Sequence, residues 1–223
     1  MEAANVSEEL PSSKLGTKKY WDSVYGRELT YFSKHGDIGE VWFGEDCLER
    51  VVDWVLSSSQ LEPHSSIVDV GCGNGAFLLY LAADGYTNLT GIDYSEKAIE
   101  LARAVAEEKK YNVKYEHVDL TSEENDIGIR GKPFDLCHDK GTYDAISLCP
   151  DDVQKKRSAY MKAIHHITKE NGLFVITSCN WTHHELIQHF SKYFIKEHII
   201  PSPTFMFGGK VGSSVSTVVF RKI

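Results

Sequence analysis

The chain has 223 residues, 42% of them hydrophobic and 25% charged, enough for one sizeable core, so a single α/β domain is the simplest expectation. A formal net charge of −8 argues against non-specific nucleic-acid binding and suits either a basic protein partner or plain solubility. No run approaches about 18 apolar residues, so no membrane span is expected, and residues 1–13 are polar, acidic and without the apolar core of a signal peptide.

Five cysteines (Cys47, Cys72, Cys137, Cys149 and Cys179) form an odd set with no Cys-x-x-Cys. They point to reduced thiols and an intracellular protein. The cytosol is expected, the nucleus being left open. Ten histidines include two adjacent pairs but no metal-ligand spacing, so no metal site is expected.

In chain order, residues 1–13 read as a disordered tail. Residues 14–60 are rich in aromatics and are expected to form a lid over the ligand, the alternative being a cap on one edge of the sheet. Within them, residues 17–29 have helical spacing, 36–44 form a glycine-flanked loop around Trp42-Phe43, and 47–57 form a helix with Asp46 as its cap. Ile67 to Val70 suit a short buried strand, followed by Gly71-Cys-Gly73-Asn74-Gly75 and an apolar helix from Phe77. A second strand over 89–92 places Asp93 at its carboxyl end. Strand, glycine turn, helix, strand, acid is the order of a nucleotide-binding βαβ unit.

Ser95 caps a helix over 96–110. A third strand over 113–118 ends at Asp119-Leu120, where the acid is placed to accept from an adenine amino group. Residues 121–132 are a polar loop. The fourth strand, 134–138, runs into Asp139-Lys140-Gly141-Thr142. A helix over 151–169, a strand over 173–177 ending at Ser178-Cys179-Asn180-Trp181, and a helix of about ten residues from Thr182 come next. Residues 193–200 and 216–221 close the sheet as an antiparallel pair, joined by a glycine-rich connection over 201–214. The count is seven strands, five of them alternating with helices.

Two ligands suit the glycine turn: a dinucleotide, whose pyrophosphate sits on the helix N-terminus, and S-adenosylmethionine (SAM), whose carboxylate takes that place. Asp69, two residues before Gly71, favours the cationic ammonium and sulfonium of SAM over an added pyrophosphate. Asp93 is placed to accept from both ribose hydroxyls. No second domain is left for a hydride-transfer substrate, and about sixty-five residues precede the first fingerprint strand, which also favours SAM.

At Asp69-x-Gly71-x-Gly73-x-Gly75, with Asp93 and Asp119, the chain resembles the seven-strand (class I) SAM-dependent methyltransferases, with a Rossmann-like sheet and helices on both faces. Further blocks resemble the methyltransferase-like 10 family from about residue 15 onward. They are Leu15-Gly-Thr-Lys-Lys-Tyr-Trp21, Gly39-Glu40-Val-Trp42-Phe43-Gly44, Gly91-Ile-Asp93-Tyr94-Ser95, Asp139-Lys140-Gly141-Thr142-Tyr143-Asp144-Ala145, Asn180-Trp181-Thr182 and Pro203-Thr-Phe205-x-Phe207.

That resemblance implies methyl transfer to a lysine of translation elongation factor 1-alpha; separately, a monomer is expected. The implied cofactor-binding residues are Trp42, Asp69, Gly71, Gly73, Asn74, Gly75, Asp93, Tyr94, Asp119 and Leu120, with Asp139 on the cofactor or the substrate amine. Asp139 and Asn180 are the expected catalytic pair, and Phe43, Tyr143 and Trp181 the expected substrate rim. The competing placements are Asp139 as a turn cap and Trp181 as core, and Lys140 is expected to be a solvated surface charge. A small-molecule methyltransferase is the second functional reading, a non-catalytic SAM-binding subunit the third and a dehydrogenase the last.

Overall fold

The computed structural model describes residues 9–122, 133–207 and 210–223, with side chains left aside for 204–213. Period-two alternation of apolar residues builds the centre. In β1 (Ile67–Val70) and β4 (Phe134–Lys140), Ile67 and Leu136 face one layer, while Val68, Val70 and Cys137 face the other. With β2 (Leu89–Asp93), β3 (Lys114–His117), β5 (Thr168–Ser178), β6 (Phe194–Ile200) and β9 (Ser216–Lys222), they form one sheet ordered β3-β2-β1-β4-β5-β9-β6. All pairs are parallel except those made by β9, which runs antiparallel to both neighbours.

Helices α1 (Lys18–His35), α2 (Glu45–Ser57), α3 (Ala76–Ala83) and α4 (Glu96–Lys109) cover one face. Helices α5 (Thr142–Ser147), α6 (Val153–Ile167) and α7 (His183–Phe190) cover the other. Because β1 is followed by β2 on one side and neighbours β4 on the other, the strand order reverses there. A crevice opens at the carboxyl ends of strands at such a point.

Several boundaries depart from the sequence expectations. Residues 9–13 are not a free tail: Ser13 N–H donates to the Leu148 carbonyl (3.0 Å), Leu10 packs on the α5–α7 core, and Glu9 pairs with Arg157 (3.0 Å). Residues 1–8 and most of the polar loop lie outside the described residues. Helix α1 runs a turn and a half beyond residue 29, from the Thr17 cap to a left-handed Gly36. Gly44, not Asp46, is the N-cap of α2, and Asp46 sits in its first turn. Strand β4 continues to Lys140. Helix α5 and the hairpin β7 (Thr204–Phe207)–β8 (Lys210–Ser213) stand where a turn and a plain connection were expected. No helix among the described residues is long and apolar enough to cross a membrane.

Candidate active site

At the switch point lies a cleft of about 340 Å³, within the range of small-molecule sites. The glycine turn forms its floor. Gly71 (φ 67°) and Gly73 (φ 54°) are left-handed, which L residues resist. A Cβ at Gly71 would strike the Thr142 hydroxyl, and one at Gly73 would lie 2.6 Å from the Tyr25 hydroxyl. Backbone shape and protein neighbours therefore both require glycine at these two positions. Gly75 is off the cleft, as the left-handed N-cap of α3.

Asp93 ends β2 at the cleft floor, 4% exposed. Its carboxylate accepts from the Gly73 (3.1 Å) and Ser95 (2.8 Å) amides. Burial pushes its pKa up to about 6 despite those donors, and the nearby Asp69 and Asp22 add to the rise. Tyr94, Asp119 and Leu120 line the next wall, and Asp119 folds its own turn by accepting from the Thr121 amide (2.8 Å) and hydroxyl (2.7 Å).

The aromatic segment touches the cleft through two parts only, residues 15–25 and the loop 40–43, while α2 is a sheet-packing helix. Asn74 stitches the loop down. Its amide donates to the carbonyls of Ile38 (3.1 Å) and Glu40 (3.3 Å), while its Oδ1 accepts from Ala76 N–H (3.2 Å). Trp42 packs edge-on to Trp21 at 4.8 Å, and its indole N–H is buried with no acceptor among the described residues. Phe43 takes a left-handed φ of 67°, which turns the chain into α2, and both residues line the cleft.

Strand alternation sorts the acids. Asp69 pairs in register with His138, and the two side chains meet at 2.7 Å (Oδ1 to Nδ1) on the α3 face, where His138 stacks on Phe77. Lys140, two residues on, shares that face and lines the cleft. It is half-buried and donates to the Trp42 carbonyl (3.0 Å), so it is not the solvated charge expected. Desolvation lowers its pKa against the pull of Asp69.

Asp139 has the opposite parity and is 0% exposed. It accepts from the amides of Thr142 (2.9 Å) and Tyr143 (3.0 Å) and, very closely, from the Tyr160 hydroxyl. It therefore anchors the start of α5 and is not among the residues that line the cleft. Burial pushes its pKa up to about 7.

Tyr143 and Trp181, expected at the rim, belong to the core instead. Tyr143 is 1% exposed against Tyr160 and Phe190, and Trp181 is 3% exposed and donates to the Ser147 hydroxyl (3.3 Å). Asn180 does line the cleft, and the Ser178 hydroxyl holds its amide (3.1 Å). Besides Lys140, the cleft lining includes Asp144 and Tyr160, which the sequence reading does not assign to the site. Asp144 is fastened by Ser178 Oγ (2.5 Å) and Cys179 N–H (2.8 Å), and Tyr160 reaches the cleft from α6. Spacing along α5 from the capping Asp139 signals Asp144; nothing local signals Tyr160. Among the described residues no group of His, Cys, Asp and Glu is arranged to hold a metal.

This sheet order, with one antiparallel strand near its edge, and a cleft between a glycine turn and an acid at the end of β2, define a Rossmann-like protein of methyltransferase topology. Residues 61–206 match the family model described as a methyltransferase domain. The chain is 43% identical to human EEF1A lysine methyltransferase 2 over 95% of this chain and 88% of that protein. It is 41% identical to the protein-lysine N-methyltransferase efm4 of Schizosaccharomyces pombe, over 95% of each. Among solved structures, the N-methyltransferase NodS from Bradyrhizobium japonicum, with S-adenosyl-L-homocysteine, matches at a TM-score of 0.63 and 16% identity, over 91% of this chain and 98% of that one. The chain belongs to the methyltransferase domain family, in the branch of EEF1A lysine methyltransferase 2 and its fungal relatives.

Proposed function

We propose that this protein is a SAM-dependent protein-lysine N-methyltransferase acting on translation elongation factor 1-alpha. The observation that carries the chemistry is the cleft itself. It sets Asp93 at the end of β2, two left-handed glycines and Asp69 at the end of β1 around one space of ligand size. The substrate class follows from the relatives that share nearly the whole chain.

The residues fit the cofactor. Asp93 keeps acceptor capacity for two ribose hydroxyls beyond its two amide donors, each charge-assisted bond being worth roughly 1.5–3 kcal/mol. Asp69 meets the ammonium and sulfonium charges, while Tyr94, Asp119 and Leu120 flank the base. The buried, acceptor-free Trp42 indole N–H is a polar group awaiting a ligand acceptor. When bound, the cofactor supplies an activated methyl on a good leaving group, and the protein's part is positioning and water exclusion.

A free lysine amine has a pKa of ~10.4 and must shed its proton before it attacks. Trp42, Phe43 and Asn180 line the same cleft, and its aromatic lining penalises the cation and favours the neutral amine. Asn180 Oδ1 is the acceptor that aligns that amine, and Asp144 holds the 178–180 turn that presents it. The acidic surface favours a basic face on the protein substrate. Unpaired thiols, four of them buried, support the cytosol as its compartment.

The test is mass spectrometry of elongation factor 1-alpha after incubation with purified enzyme and SAM. A mass gain of whole methyl groups on one lysine is expected. Label from radioactive SAM found only in small molecules of a lysate would overturn the protein-substrate reading.

A further inference from the structure

Lys140 is a cation set into the cofactor cleft with no anion of its own. It stands on the face of β4 that carries His138, across from β1, so the sheet delivers Asp69 and Lys140 to the same wall. Asp69 is already engaged by His138 at 2.7 Å, and Lys140 donates only to a neutral carbonyl, that of Trp42. Among the described residues no carboxylate pairs with its ammonium, although Asp69 lies close enough to be felt electrostatically. The ammonium is half-buried and lies 5.8 Å from the Phe43 ring centroid, so it is partly desolvated with a neutral carbonyl and a ring as its partners.

The obvious alternative anchor for a ligand carboxylate, the N-terminus of α3, is partly spent. The Ala76 amide donates to Asn74 Oδ1, and the Gly75 amide to the Cys72 carbonyl. A second donor in the lid wall, the Trp42 indole N–H, is likewise buried without an acceptor. The wall therefore offers one anion and one cation where the amino-acid end of the cofactor must lie.

We propose that Lys140 is the counter-ion of the cofactor's α-carboxylate, with Asp69 taking its α-ammonium, so that the cleft recognises that end of SAM as a zwitterion. This rests on the cleft being the SAM site. Binding also links two parts of the fold: Lys140 already holds the Trp42 carbonyl, so an anion on its ammonium fixes the lid loop as well. Discrimination follows. Analogues that keep the amine and lose the carboxylate leave Lys140 unpaired, and they bind poorly.

Calorimetry with SAM and with decarboxylated SAM, which keeps the amine and lacks the carboxylate, tests this. The wild type is expected to prefer SAM by roughly ten- to a hundredfold. Lys140→Gln keeps a donor for the Trp42 carbonyl and removes the charge. It should cost SAM most of that preference and change the decarboxylated analogue by no more than about twofold. Lys140→Arg should restore the preference in large part. Equal weakening of both ligands by Lys140→Gln, in a protein with an unchanged melting curve, assigns Lys140 to lid packing and overturns the inference, as does no weakening of either. If Lys140→Gln melts early, Lys140→Met with the same pair of ligands applies the same criterion. Failure of the wild type to bind either ligand is a different result, which sinks the cofactor reading itself.

Discussion

Asp93 and Asp139 are both buried acids with raised pKa values, and the structure gives them opposite roles. Asp93 faces the cleft. Its carboxyl, held near a pKa of about 6, must be ionised to accept from two hydroxyls. SAM affinity should therefore climb as pH rises through about 6 and flatten above it. Asp93→Asn should weaken SAM by about thirtyfold at neutral pH and abolish that step; a titration by calorimetry at several pH values checks both. Asp139 faces away and acts on stability. Its folded pKa, about 7, lies above the unfolded value of ~3.9, so the folded chain keeps a proton that the unfolded chain releases. Stability from this group is full below about pH 4 and declines as pH rises toward 7. Denaturant midpoints of Asp139→Asn should show a flatter dependence on pH over that window. The same slope in both proteins would refute the assignment. Apolar periodicity ends the fourth strand at residue 138, two residues short of its end at Lys140, and so hides the parity of Asp139. Once β4 runs to Lys140, simple alternation sends Asp139 to the α6 face and Lys140 to the cleft. The glycines, Asp69 and Asp93 were legible because a positive φ and a strand-end acid follow a short-range pattern. Tyr160 was not, because it reaches the cleft from a helix ninety residues away in sequence from Asp69.

At the scale of elements, the loop between α1 and α2 is the part most open to change. It carries no regular structure, and its hold on the glycine turn runs through one side chain, Asn74. Asn74→Ala removes two donors to the loop and one acceptor at α3. About 1 kcal/mol of lost loop ordering would raise the KM for SAM close to fivefold, with little change in melting temperature. The loop should also be cut sooner by a protease, at 36–44, and SAM should protect it less. Unchanged KM and unchanged cleavage would make the loop a rigid cap. Long, periodic elements were readable: α4 with its Ser95 cap, α6, and the closing pair β6–β9. Short ones were not. Helix α5 has six residues and no period to detect, and it forms because Asp139 satisfies its first amides from below. The hairpin β7–β8 has four-residue strands in a stretch of glycine and proline that reads as connection.

For the whole molecule, the proposed function gives the net charge a testable part in how substrate arrives. A net charge of −8 on 223 residues repels acidic macromolecules and draws a basic one toward the surface. Residues 40–43 and 179–180 line one cleft, and in the proposed reaction encounter and chemistry are separable steps. Long-range attraction acts on the first and is screened beyond roughly 10 Å at 0.1 M salt. The chemical step occurs in a cleft shielded from that screening. Raising salt from low ionic strength to about 0.3 M should thus lower kcat/KM on intact elongation factor 1-alpha by roughly tenfold while moving kcat little. A short peptide carrying the same lysine, without the surrounding basic surface, should show a much weaker dependence. If the intact factor and the peptide respond alike, steering by the acidic surface is not what brings enzyme and substrate together, and recognition lies wholly in contacts around the cleft.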